Sequence, residues 1–217
     1  MPLTTNKTMR KILALILLTA LAPAALQVAH AQATKEAREA NKLAREGAEA
    51  AKNHEWDKAI ELLRKATNLE HKYGDELSAV YQQRGYAAAN EQRFQDAIND
   101  YGEALKLTPN DARVYEQRAA VEMKTNDYDK ALADYSQALR LKPNDVRLLL
   151  YRSYIYELKG DLKSSMADTE KVLQLDPNNR EAKARKDRLL TREAAQVPFT
   201  PIVVHSPTPT PHPRHGP

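Results

Sequence analysis

Arg84, Arg118 and Arg152 recur one every 34 residues, and an aspartate follows each of them sixteen residues later: Asp100, Asp134 and Asp168. A guanidinium and a carboxylate form a strong bidentate pair when both are partly withdrawn from water, and each is costly to bury without the other. The unit upstream has neither partner, with Glu46 and Leu62 at the matching places, so the two residue types come and go together. An active site would not be repeated three times, and the pairing is therefore read as an ion pair inside the architecture. Other chemistry is absent. There is no phosphate loop of the G-x-x-x-x-G-K type, no H-E-x-x-H and no glycine-rich dinucleotide fingerprint. His212 and His215 have no cysteine or carboxylate neighbours, so no metal site is expected, nor any cofactor or enzymatic activity.

The elements that must carry the Arg and Asp residues are set by three prolines, Pro109, Pro143 and Pro177, each in a Leu-x-Pro-Asn-Asp/Asn setting and again 34 residues apart. They divide the chain into repeats over 78–111, 112–145 and 146–179. Small residues recur at the eighth position (Gly85, Ala119, Ser153) and the twentieth (Ala97, Ala131, Ser165). Four and seven residues after the second set come Tyr101, Tyr135 and Thr169, then Ala104, Ala138 and Val172, one stripe of a helix. A break near the fifteenth position, as at Asn126-Asp127 and Gly160-Asp161, makes each unit helix, turn, helix, turn. The residue before proline avoids the α region, which ends the second helix. A fourth unit over 40–73 lacks the proline and carries Leu43, Gly47, Trp56, Ala59, Leu63 and Ala66 at matching places. Its spacing to the next is four residues too long, close to one helical turn, which predicts that Glu70 to Tyr73 lengthen its second helix.

This pattern over residues 40–179 resembles the tetratricopeptide repeat, with the departure that arginine replaces the family's leucine at the seventh position. The resemblance implies an all-α solenoid of about four helix-turn-helix hairpins closed by a capping helix over 180–195, in which Ala182, Leu189 and Leu190 are the main apolar contacts. It also implies a concave groove, lined by the first helix of each hairpin, that holds a peptide or protein segment. The groove positions of the family fall on Gln82, Gln83, Tyr86 and Asn90, then on Arg113, Glu116, Gln117 and Lys124, and finally on Arg147, Leu150, Tyr151, Tyr154 and Glu157. Rigid phenols supply contact area at low entropic cost, and amides and guanidinium groups can bond an extended backbone whatever its sequence. The set that some members use to grip a terminal carboxylate does not carry over, because Ala44, Ala48 and Gln117 stand at three of its places.

The chain has 217 residues, 29% of them charged, and few glycines for its length, which favours helix over sheet. Lys7, Arg10 and Lys11 precede an apolar run from Ile12 to Leu26, followed by Ala29-His30-Ala31. That is the form of a secretory signal peptide over 1–31, and the run is shorter than a membrane span needs. Its removal leaves 30 Lys and Arg against 29 Asp and Glu and no basic stripe, so nucleic acid is not an expected partner. A periplasmic or secreted location follows, with no membrane span in the mature chain. There is no cysteine for disulfides or lipid attachment. Residues 196–217 hold seven of the twelve prolines and are expected to be a disordered tail. The leading expectation is a non-catalytic scaffold for a protein partner. The rival is a structural protein that self-assembles into a homo-oligomer through hairpin edges and the tail.

Overall fold

Four helical hairpins and a final helix follow one another in the computed structural model, which describes the backbone of residues 7–196 and the side chains of residues 27–195. The helices are α1 (Lys7–Lys52), α2 (Trp56–Leu69), α3 (Gly74–Asn90), α4 (Phe94–Leu107), α5 (Ala112–Lys124), α6 (Tyr128–Leu141), α7 (Val146–Lys159), α8 (Leu162–Leu175) and α9 (Arg180–Gln196). Each pair, α1 with α2 through α7 with α8, packs most extensively within itself, and each second helix then packs on the next first helix. The architecture is an all-α solenoid.

One turn geometry is used four times. His54, Gln92, Asn126 and Gly160, all at the fifteenth position of their repeats, have left-handed backbones with φ of 60°, 62°, 59° and 79°. In each turn the following N–H reaches back to the carbonyl five residues earlier: Glu55 to Ala50, Arg93 to Ala88, Asp127 to Glu122 and Asp161 to Tyr156, all between 2.8 and 2.9 Å. This closing bond satisfies a helix-end carbonyl and offsets the strain that a side chain meets at positive φ. The opposite turns end with a capping side chain. Asp111 accepts from the Arg113 N–H, Asp145 from Arg147 and Leu148, and Asn179 from Ala182.

The first inter-hairpin junction departs from the sequence expectation. Helix α2 stops at Leu69, Glu70 is extended (φ −142°, ψ 114°), and His71–Tyr73 form a 3-10 turn leading directly into Gly74. The four additional residues therefore lengthen the start of α3, four positions before Ser78, and not the end of α2. Tyr73 is buried there and anchors the turn in the core.

The core follows the small-residue stripes. Ala59, Ala97, Ala131 and Ser165 are fully buried, as are Ala66, Ala104, Ala138 and Val172, with Tyr101 and Tyr135 packed between them. Close approach is required at Gly85, where a Cβ would lie 3.2 Å from the Asp100 Cβ and 3.2 Å from the Tyr101 ring. At the far end α9 buries Ala182 and Leu189, but Leu190 is 49% exposed and its expected place in the interface is taken by Arg185, only 2% exposed.

At the near end, α1 continues without a break through the Ala29-His30-Ala31 segment, and Ala40 is its first buried side chain among those described. The apolar run from Ile12 to Leu26 lies outside the described side chains, and the tail after Gln196 lies outside the described residues. Among the described residues no helix is long and apolar enough to cross a membrane.

Candidate functional site

The recurrent arginines bind their aspartates with the same two-pronged geometry in three hairpins. Arg84 gives Nε to Asp100 Oδ2 at 2.8 Å and Nη2 to Oδ1 at 2.6 Å. Arg118 does so with Asp134 at 2.6 and 2.8 Å, and Arg152 with Asp168 at 2.8 Å for both bonds. The aspartate hydrogen bonds hold all three guanidinium groups more firmly protonated than usual, against the opposing effect of burial. Tyr81, Tyr115 and Tyr156 place ring faces 5.8 to 6.0 Å from the same guanidinium carbons. With both charges paired and largely enclosed, these groups tie the two helices of a hairpin together and leave nothing reactive.

The side chains assigned to the groove do not share one environment. Gln82, Gln83, Tyr86 and Asn90 of α3 join Arg113 and Gln117 of α5 around a cleft of about 580 Å³. Tyr86 is 59% exposed there. Arg113 Nη2 donates to Gln82 Oε1 at 3.2 Å, and Gln82 Nε2 donates in turn to Ser78 Oγ at 3.3 Å. The Gln117 Oε1 is buried with no hydrogen-bond partner. One hairpin further on, the same 31-residue step joins Arg147 Nη2 to Glu116 Oε2 at 2.9 Å, so neighbouring first helices are linked by two polar struts.

Tyr151 and Tyr154 project from α7 beyond those struts. The Tyr151 ring stacks on the buried Tyr135 ring at 5.5 Å, and the Arg185 guanidinium sits 5.7 Å from the Tyr154 ring. Lys124 stands apart, with Nζ 5.7 Å from the Phe94 ring. Leu150 packs against the core cluster that holds Leu148, Leu149 and Ile155. Glu157 receives three arginines of the capping helix, Arg185, Arg188 and Arg192, within 3.3 to 3.7 Å and with its side chain 11% exposed. Its carboxylate holds the cap in place.

Two members of the cleft escape reading by repeat position alone. His54 and Trp56 come from the turn of the first hairpin, outside the usual groove positions, and close one wall with their rings 4.9 Å apart edge to face. The signal that could have found them is the chain's single Trp two residues after a turn that recurs in each repeat.

A family model described as the ETO1 C-terminal domain matches residues 18–194. The chain belongs to this family. Its architecture is that of tetratricopeptide repeats: the TPR domain of Arabidopsis OM64 is 30% identical over 54% of this chain and 98% of that domain, with a TM-score of 0.50. A tetratricopeptide repeat protein from Parabacteroides merdae is 20% identical, covering 73% of this chain and 61% of its own, with a TM-score of 0.56. The first TPR of Spaghetti (RPAP3), bound to an HSP90 peptide, is 21% identical over 55% of this chain and 95% of its own, with a TM-score of 0.51. No curated protein matches the chain. In this ETO1 C-terminal domain member, three of the hairpins carry the arginine–aspartate pair. Among its described residues no group of three or more His, Cys, Asp or Glu is placed to hold a metal ion.

Proposed function

We propose that this chain is a non-catalytic scaffold that grips an extended segment of a partner protein in the cleft between α3, α5 and the first hairpin turn. The cleft itself carries the reading. It joins two exposed or half-exposed aromatic faces, Tyr86 and Trp56, to Gln83, Asn90 and Arg113. The Gln83 and Asn90 amides there can donate to and accept from a bound backbone. A protein interaction role is the general property supported by the tetratricopeptide neighbours, and the Spaghetti domain with its HSP90 peptide is one with a peptide bound. Export from the cytoplasm rests on the amino-terminal sequence, and the mass of the mature chain isolated from its native compartment tests it.

The decisive experiment pairs Tyr86→Ala with Arg113→Ala and measures capture of partners from envelope extract beside thermal unfolding. The reading expects a loss of the captured protein with the midpoint of unfolding held. Equal capture by the variant, or a large drop in midpoint that accounts for any loss, counts against it.

A further inference from the structure

The last hairpin leaves an apolar stripe uncovered. Tyr151, Tyr154 and Leu158 are 44%, 43% and 46% exposed, and their spacing of three and four puts them on one face of α7. At the lower end of that stripe α9 is tied to α7. Arg188 Nη2 meets Glu157 Oε2 at 3.3 Å, and Arg192 Nη1 meets the Glu157 carbonyl at 3.4 Å. Helix α9 ends at Gln196, about one turn after Arg192. The carboxyl-terminal end of α9 therefore lies near the Leu158 end of α7.

The departing sequence suits that surface. It begins Val197-Pro198-Phe199-Thr200-Pro201-Ile202-Val203-Val204, a Pro-x-x-Pro segment with four further apolar side chains close by. Paired prolines favour the polyproline II conformation, which aromatic-lined grooves accept at small entropic cost.

We propose that residues 197–205 fold back onto the Tyr151, Tyr154 and Leu158 stripe, running antiparallel to α7 and covering the carboxyl-terminal half of the concave face. The lengths agree. Phe199 lies within about 10 Å of Gln196 when extended. The stripe is about 10 Å long on the helix, and Phe199 to Val204 spans about 15 Å in polyproline II geometry. Tethering supplies an effective concentration near the millimolar range, so weak contacts suffice. The competing surface is the outer side of α9, which offers the exposed Leu190 among Lys186, Asp187 and Glu193. One leucine among charges is a poorer match than two phenols and a leucine in line. Docking of the tail stands without the groove reading; that the tail thereby competes with a partner rests on it.

The chain has no cysteine, so Thr200→Cys in the full-length protein accepts a single nitroxide label at a site outside the solenoid. The expected result is strong paramagnetic broadening of the Tyr154 ring and Leu158 methyl signals, several-fold beyond that at Leu190, and unchanged on dilution. Adding Phe199→Asp with Ile202→Asp to the labelled chain is expected to abolish it. Broadening centred on Leu190, broadening that fades on dilution as for a second copy, or broadening no stronger at Tyr154 than elsewhere overturns the proposal. Because this readout needs no partner, its failure leaves the capture experiment on the cleft to be judged separately.

Discussion

Arg118 and Asp134 stand on opposite helices of one hairpin and are joined by two hydrogen bonds of 2.6 and 2.8 Å. The aspartate side chain is nearly enclosed, while the arginine retains some contact with water. Removing the arginine strands a carboxylate in the interior, whereas removing both charges leaves no buried group unpaired. Arg118→Leu is therefore expected to destabilise the fold by about 2–4 kcal/mol. Arg118→Leu combined with Asp134→Leu should recover much of that loss. Urea unfolding of the four proteins of this cycle measures the coupling, and strictly additive effects would show that the pair does not act as a unit.

Glu122 of α5 is buried, and its Oε2 has no hydrogen-bond partner. Burial first, and then the nearby negative Asp134, push its carboxyl up to about 7, with Arg118 pulling the other way. The folded state thus holds the proton more tightly than the unfolded chain, whose carboxyl titrates near 4.5. Its contribution to stability is complete below pH 4.5 and is lost as pH rises through about 7. Glu122→Gln removes this dependence. The stability of the wild type relative to that variant is expected to fall between those two pH values; a constant difference across the range would refute the linkage.

Two glycines are expected to respond to alanine in opposite senses. At Gly47 a Cβ would lie 2.8 Å from the Leu63 Cγ, and Leu63 is itself locked in the core. Gly47→Ala is expected to cost about 1–3 kcal/mol through overpacking. Gly74 has ordinary helical angles (φ −61°, ψ −36°) and open space where a Cβ would go. Gly74→Ala is expected to stabilise by about 0.4–1 kcal/mol by reducing the freedom of the unfolded chain. Thermal unfolding of both variants checks the pair, and a loss at Gly74 would mean that its junction needs glycine for a reason other than space.

Arg185 fastens the capping helix from inside. It donates to the Leu150 carbonyl and Ser153 Oγ, meets Glu181 Oε1 at 2.9 Å, and lies over the Tyr154 ring. Arg185→Ala is expected to raise amide exchange across Arg180–Gln196 well above wild type while α3 to α6 keep their protection. Uniform acceleration through the solenoid would instead make the cap inseparable from the whole.

The repeats were legible because their stride is strict. Small residues, tyrosines and prolines at fixed offsets define the helices, the close contacts and the ends, and the arginine–aspartate lock is visible as residue types that appear and vanish together. The first junction was not legible, since without a proline nothing in the residue pattern tells whether Glu70–Tyr73 extend the helix before or the helix after. Arg185 in the interface and Leu190 outside it reverse a hydrophobicity ranking; the reason lies in the Leu150 carbonyl, Ser153, Glu157 and Glu181, polar groups that only an arginine can satisfy together. The partition of the groove was hidden for a similar cause. Glu157 and Arg147 sit at family groove positions, but their chemistry is consumed by neighbours 28 to 35 residues away and 31 residues away.

The two struts, Arg113 to Gln82 and Arg147 to Glu116, connect successive first helices across the mouth of the superhelix. The bidentate arginine–aspartate pairs lie within single hairpins, and only Arg84 among the three arginines also reaches an acid of the preceding hairpin, Asp57, at 2.6 Å. A partner that claims either guanidinium for its own carbonyls or carboxylates must first break a link between two hairpins, so the free energy of recognition at this face is reduced by the cohesion it dissolves.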